Sequence, residues 1–396
     1  MPPSLDAAAV RRRFAGRFPG VPRLVRAPGR INLIGEHTDY NDGWVMPAAI
    51  DLAAWVAVGA RDDRRLVLSS EEFDETAAFD LDAPADLGAP AWSRSLGGVA
   101  RLLERGGHHL RGANLLLASE IPVGAGLSSS AAVEVACGFA LLLASGLAVD
   151  RPALARMCQQ ASHEFAGTRC GIMDPYIVCH GHEGTILKLD TRSLEAAAFP
   201  WPAGLILMVG DTMVQHDHAT GGYNQRRAEC EAAVARLARE LPGLTSLRDL
   251  DAPALERHAD ALDAVLLARC RHVVSENARV HAAAAALGAG DDTGLGQLLN
   301  ASHASLRDDY EVSCFELDLM AALFRAQPGV YGARMMGGGF GGSVLGLAHP
   351  AQAAAAAAAV THAYAERTGL APVLRCCRTA DGVQEITEAH EHAPAL

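Results

Sequence analysis

The sequence predicts a two-domain α+β protein, on three observations. The first half reads as β-rich, the second as mainly helical, and Pro200-Trp201-Pro202 punctuates the shift between them. The division falls at residues 1–200 and 201–396. In the first half, 24–27, 45–58 and 65–68 have strand composition, with Asp62-Asp63-Arg64 as a turn. Residues 113–119 form a buried apolar strand, and 185–189 and 205–209 are further strands. The segments 128–145 and 152–166 carry helical spacing. So do 223–239, 252–287 with breaks, and 315–326 in the second half. Strands at 333–336 and 343–347 flank a glycine cluster. Residues 350–367 are an Ala-rich helix whose 353–359 run reflects helix propensity. The polar tail from Glu388 is expected to fray.

Composition excludes several classes. The chain has 396 residues, half of them hydrophobic, enough for a sizeable core. No run of about 18 apolar residues offers a membrane span. The first 13 residues place apolar before basic, the reverse of a secretory leader, so a cytoplasmic location is expected. Net charge is −12, and the densest basic run, Arg11 to Arg13, suits a solvated helix face. Nucleic acid is therefore not an expected partner. The nine cysteines form no CxxC pattern, and Cys376-Cys377 is too tight for an ordinary bridge. Free thiols in a reducing compartment are expected. Oligomeric state is read as a monomer or weak homo-oligomer.

Lys188 is the single lysine among 34 Lys and Arg residues, and no glycine loop precedes it. A Walker A loop needs Gly-Lys-Ser/Thr, and a protein kinase needs its strand lysine. Any ATP site here holds phosphates another way.

Four constellations carry chemistry. Residues 26–43, RAPGRINLIGEHTDYNDG, set the cation Arg30 beside Glu36, His37 and Asp39. Carboxylates and an imidazole suit a ligand covered in hydroxyls, each of which donates and accepts. An Asn/Asp/Gly turn between strands fits the same string equally well. A metal set of Glu36, His37 and Asp39 fits less well, because neighbouring strand residues face opposite ways.

The second constellation is PVGAGLSSSAA at 122–132, between a strand and a long helix. Glycines let backbone approach phosphate, and serines open a helix whose N-terminal amides attract anions. A glycine turn with a serine cap is the plainer alternative. The third is CGIMDPY at 170–176, where Asp174 precedes a proline as the chain leaves a helix; a lone Asp there is commonly a turn former. The fourth is MMGGGFGG at 335–342. Gly337, Gly339 and Gly342 match GxGxxG, but a strand follows rather than a helix, which excludes a dinucleotide fingerprint. Close backbone approach to a loop or ligand is the better reason for these glycines.

In this order the four segments, with SHASLRDDYEVS at 302–313, resemble the galactokinase family of GHMP small-molecule kinases over nearly the whole chain. The resemblance implies two α+β domains with the active site between them. It implies transfer of the γ-phosphoryl of MgATP to the C1 hydroxyl of α-D-galactose, giving galactose 1-phosphate and ADP. It implies that Glu36, His37, Thr38, Asp39, Gly171 and Tyr223 bind the sugar. Asp174 is then the base near the C1 hydroxyl, with Arg30 beside it. Gly124, Ala125, Gly126, Leu127, Ser128, Ser129 and Ser130 wrap the phosphates, Ser130 touches Mg²⁺, and Ser70 lies near the nucleotide. An Asp beside Arg30 serves orientation more than proton affinity, which a loose phosphoryl-transfer transition state tolerates.

The chain departs from the family pattern at four points. Ser162 stands where a Mg²⁺-binding Glu is typical, and Glu164 lies about 200° further around a helix. Gln215 to Tyr223 lacks the usual basic and acidic residues and adds His216 and His218. Met336 replaces a Thr, and Pro175-Tyr176 follows Asp174 where Gln is common. These departures leave open a kinase for a related sugar, or a non-catalytic sugar-binding regulator.

Overall fold

The computed structural model describes residues 5–83, 88–215 and 219–387; His216, His218 and the tail from Glu388 lie outside the described residues. The largest sheet has six strands in the order Gln384–Ile386, Arg23–Asn32, Pro47–Ala60, Ala113–Ser119, Arg65–Ser70 and Glu75–Asp80. Its neighbours are antiparallel except Arg65–Ser70 with Ala113–Ser119. The two sides separate by the strand period of two. Val56, Val58, Leu115 and Leu117 face the helices Ala91–Arg105, Ser129–Ala144, Arg151–Ala161 and Met173–His180. Trp55, Ala57 and Leu116 face the other way, onto Ala7–Ala15. The first edge strand, Gln384–Ile386, comes from the end of the described chain.

A second sheet orders Val330–Met336, Gly341–Ala348, Ile206–Gln215 and Val373–Cys377, all antiparallel. The helices Ala219–Leu237, Ala264–Ala289, Phe315–Arg325 and Pro350–Thr368 pack around it. A small three-stranded sheet joins Trp44–Val45, Thr185–Asp190 and Ala196–Pro200. Ile31, Leu33 and Ile34 share one apolar cluster with Leu207, Val209, Val280, Leu345 and Leu347, which binds the two halves to each other. The architecture is α+β. All nine cysteines are free, and no described helix is long and apolar enough to cross a membrane.

Two local expectations change. The segment 152–166 is not one regular helix: Arg151–Ala161 is α-helical and Ser162–Ala166 widens into a π turn. The widening delivers Phe165 onto Gly98, where a Cβ would stand 2.4 Å from the ring, so only glycine admits the contact. Asp174 does not lie where a helix ends. It sits in the first turn of Met173–His180, where Pro175 is tolerated because an early amide has no helical partner anyway. The helices Ala91–Arg105 and Asp292–Asp308 and the strand Glu75–Asp80 were not legible as elements. In the first, Gly97 and Gly98 interrupt the helical pattern.

Candidate active site

Arg30 lies on the strand Arg23–Asn32 and is almost fully buried. Its Nε donates to Asp174 Oδ1 and its Nη2 to Oδ2, both at 2.7 Å. Nη1 donates to the Gly126 carbonyl, and the Arg30 amide donates to the Leu127 carbonyl. Burial disfavours the guanidinium charge, but Asp174 more than offsets it and the pKa is raised. The Ser128 hydroxyl donates to the remaining face of the Asp174 carboxylate. One residue from each of the first three constellations thus meets at a single point.

That point joins two cavities. One, of about 370 Å³, is lined by Arg30, Glu36, His37, Asp39, Gly171, Asp174 and Tyr223, with Gly337 and Gly338 from the second half. The other, of about 500 Å³, lies between Gly124 to Ser130 and the cluster Gly337 to Gly342, with Arg30 and Asp174 at its end.

Within the first cavity, Glu36 accepts from the Asn32 side chain at 3.1 Å, Arg334 at 3.1 Å and the Gly337 amide at 2.9 Å. His37 has φ +62, and its Nδ1 pairs with the Tyr40 hydroxyl at 2.8 Å. Its Nε2 is buried beside the Gly338 backbone without a hydrogen bond in the protein. Burial lowers the ring's pKa to about 3, so it is neutral and can donate or accept. Its ring lies 5.4 Å from Tyr223. Asp39 accepts from the Tyr40 amide at 3.0 Å, and burial, with Asp174 and Glu36 nearby, raises its pKa to about 7. Gly171 backs onto it: a Cβ there would be 1.8 Å from Asp39 Oδ2. Thr38 is different. Its hydroxyl donates to the Gly35 and Trp44 carbonyls, and it is enclosed outside the cavity, so its side chain holds the turn rather than facing a ligand.

The second cavity has the features of an anion cradle. Ser129 and Ser130 are the first residues of the helix Ser129–Ala144. Ser128, at the cap position with φ +60, makes no side-chain bond to the helix amides, because its hydroxyl goes to Asp174. The helix N-terminus therefore stays open to an anion, unlike a serine-capped one. Ala125 and Leu127 are buried; the Ala125 carbonyl accepts from Ser343 at 2.6 Å. Gly126 has φ +75, and a Cβ there would press on the Met336 carbonyl at 3.2 Å. Close approach of the two glycine segments is thus a reason for both.

Ser70 lies in a third, smaller cavity of about 170 Å³ with Phe73, Trp92, Leu117, Val123, Ser129, Ser130 and Val133. Phe73 and Trp92 stack at 5.8 Å, 15° from parallel. This flat apolar slot opens beside the anion cradle. Sequence reasoning missed Phe73 and Trp92. It also missed Arg334, fully buried, which donates to Leu33 and Met335 carbonyls as well as Glu36. Its signal was a lone charge inside an apolar strand.

Comparison with known proteins agrees with this geometry. Residues 12–60 match the galactokinase galactose-binding signature, residues 94–182 the GHMP kinase N-terminal domain and residues 283–366 the GHMP kinase C-terminal domain. Galactokinases of Roseiflexus sp. (strain RS-1) and Chloroflexus aggregans are 41% and 45% identical over 385 and 379 residues, covering 97% and 96% of this chain and 98% and 97% of theirs. The chain belongs to the galactokinase family of GHMP kinases. The structure of Lactococcus lactis galactokinase complexed with galactose superposes with TM-score 0.91 at 33% identity, covering 96% of this chain and 99% of that one. Methanococcus jannaschii mevalonate kinase, 14% identical with TM-score 0.61 over 91% of this chain and 99% of its own, shares the fold.

Kinases that take ATP work with a divalent cation. Ser130, which borders all three cavities, and the buried carboxylate of Glu134 in the first are hard oxygen donors that fit such an ion. Among the described residues no three His, Cys, Asp or Glu side chains gather as a metal cage, so Glu36, His37 and Asp39 do not form one.

Proposed function

We propose that this protein transfers the γ-phosphoryl of ATP to the C1 hydroxyl of α-D-galactose, giving galactose 1-phosphate and ADP. The observation that carries the reading is the Arg30–Asp174 pair at the junction of the two larger cavities. One cavity suits a hydroxyl-rich ring and the other a triphosphate, so an acceptor hydroxyl and a γ-phosphate meet at Asp174. The galactose named for the Lactococcus structure, at 33% identity, supports the choice of sugar.

In this reading Glu36, His37 Nε2, Asp39 and the Tyr223 ring hold the sugar, and Gly171 leaves room for it. Asp174 accepts the C1 hydroxyl's hydrogen bond and takes its proton as the O–P bond forms. Arg30 fixes that carboxylate by two bonds and faces charge developing on the transferred group. Positioning and charge neutralisation supply most of the rate in this reaction class. The amides of residues 124–130 bind the phosphates at the open helix N-terminus. The slot of Phe73, Trp92 and Ser70 takes the nucleotide base. Ser130 would be the hydroxyl that holds Mg²⁺, which would neutralise phosphate charge. Residues 1–200 and 201–396 act as the two walls of the cleft, with Gln384–Ile386 returning to the first.

The assembled Ser128, Ser130, Arg30 and Asp174 favour a kinase over a sugar-binding regulator. The test is ADP release across a panel of sugars, with and without Mg²⁺. Release that needs both galactose and Mg²⁺ is expected. Release only with another sugar, or galactose binding without ADP, overturns the proposal.

A further inference from the structure

Glu134 is the lone charge in the apolar helix Ser129–Ala144. It is 3% exposed, and among the described residues no cation pairs with it. Its carboxylate accepts from the Ser162 hydroxyl, at 3.1 Å to Oε1 and 2.9 Å to Oε2, and from Ser95. In an enclosed place with hydroxyl partners only, the ionised carboxylate is costly and burial raises its pKa to about 7, so a positive group arriving there is what would hold it ionised. The enclosure is the sugar-side cavity, which Glu134, Ser162 and Ser130 all line. Ser130 and Glu134 are four residues apart on one helix, so both project to the same face. Ser130 also borders the phosphate cradle. Glu164 cannot supply the charge, because the π turn sends it outward to Arg105 at 3.1 Å.

We propose that Glu134 is the carboxylate this chain presents to the divalent cation accompanying the nucleotide, and that Ser162 is its positioning residue. The proposal rests on the kinase reading above. The small Ser162 side chain leaves space that a longer acidic residue would fill, and its hydroxyl turns the Glu134 carboxylate toward Ser130. The carboxylate keeps free lone pairs on both oxygens, while phosphates and water supply the other ligands, as Mg²⁺ prefers.

The experiment titrates Mn²⁺ into the full-length chain with ADP and galactose, reading bound Mn²⁺ by electron paramagnetic resonance. Galactose affinity is measured separately by calorimetry. Glu134→Gln keeps the shape and one acceptor oxygen, and the Ser162 and Ser95 hydroxyls can rotate to accept from its amide N–H, so a merely structural Glu134 leaves Mn²⁺ affinity untouched. The expected result is a loss of at least about tenfold in Mn²⁺ affinity, with galactose affinity within about twofold. Ser162→Ala is expected to weaken Mn²⁺ by about threefold to tenfold, and Ser162→Glu is expected to restore it in the Glu134→Gln background. If Glu134→Gln does not fold, Glu134→Asp, which shortens the reach by one methylene, is read the same way. Mn²⁺ affinity within twofold of wild type in the Glu134 variant overturns the proposal while leaving the kinase reading intact. Unchanged affinity in Ser162→Ala overturns the positioning role. If the wild-type chain binds Mn²⁺ no more tightly than ADP alone does, the kinase reading falls together with this one.

Discussion

Arg30 grips Asp174 with both arms of its guanidinium, at 2.7 Å each, across 144 positions of chain. Ser128 closes the third side of the carboxylate. The pair sets the direction of Asp174 toward the sugar cavity, so its value is geometric. Asp174→Ala is expected to reduce turnover below about a thousandth of wild type, while galactose binding by calorimetry survives in part. Near-normal turnover would remove Asp174 from the mechanism. Arg30→Lys is expected to lower kcat by about a hundredfold or more, because an ammonium cannot bond both oxygens in a fixed fork.

Gly171 and Asp39 fit so closely that a methyl group on the glycine would stand 1.8 Å from Oδ2. The clash falls on the end of a side chain, so the fold can absorb it by moving Asp39. The sugar site cannot, because that carboxylate is one of its walls. Gly171→Ala is expected to raise the galactose KM by about 10- to 100-fold. The ATP KM should stay within about twofold. Equal changes in both constants would mean a general collapse of the cleft rather than a displaced Asp39.

The signature 26–43 was legible because its polar side chains are dense within one short stretch, from the end of the strand Arg23–Asn32 into the loop that follows. The phosphate loop was legible because glycines and serines stand between a strand and a helix. Asp174 was legible only through the family resemblance, since its local sequence is that of a turn; its partner lies on a distant strand, and only packing brings them together. Thr38 looked equivalent to its neighbours, yet the turn needs its hydroxyl for two carbonyls. Glu134 and Arg334 each had a signal, a single charge within an apolar element. What they face was invisible, because strand register and helix packing decide it. Phe73 and Trp92 come from separate elements, so no spacing rule pairs them.

Asp39 makes the empty cleft sensitive to pH. Its pKa is raised from 3.8 to about 7 by burial and by the neighbouring Asp174 and Glu36. A folded pKa above the unfolded one favours the fold fully below about pH 4, and that contribution is lost as pH rises through about 7. Asp39 and Glu134, the latter also raised by burial to about 7, each impose a fall in stability over that window, against the rise that comes from His37, His272 and His303, whose pKa values burial lowers to about 3, 4 and 3. Asp39→Asn removes part of the fall and should raise the melting temperature at pH 8 by roughly 2–5 °C. Galactose binding should need the carboxylate form, and so weaken below about pH 7. A galactose dissociation constant that is flat from pH 5 to 8 would separate Asp39 from sugar recognition.

The stacked Phe73 and Trp92 form the mouth of the small apolar cavity, with the Trp92 indole N–H fixed on Glu75 at 2.7 Å. A flat base entering this slot gains area and stacking, worth roughly 1–3 kcal/mol for an aromatic partner. Trp92→Ala should therefore raise the ATP KM by about 5- to 100-fold, while the galactose KM stays within about twofold, because Glu36, His37, Asp39, Gly171 and Tyr223 do not border the slot. Trp92→Phe keeps a ring but loses the bond to Glu75, so it should fall between the two. ADP should quench the fluorescence of wild type and not that of Trp92→Phe. If Trp92→Ala shifts the galactose KM instead, the slot serves the sugar side of the cleft and the base binds elsewhere.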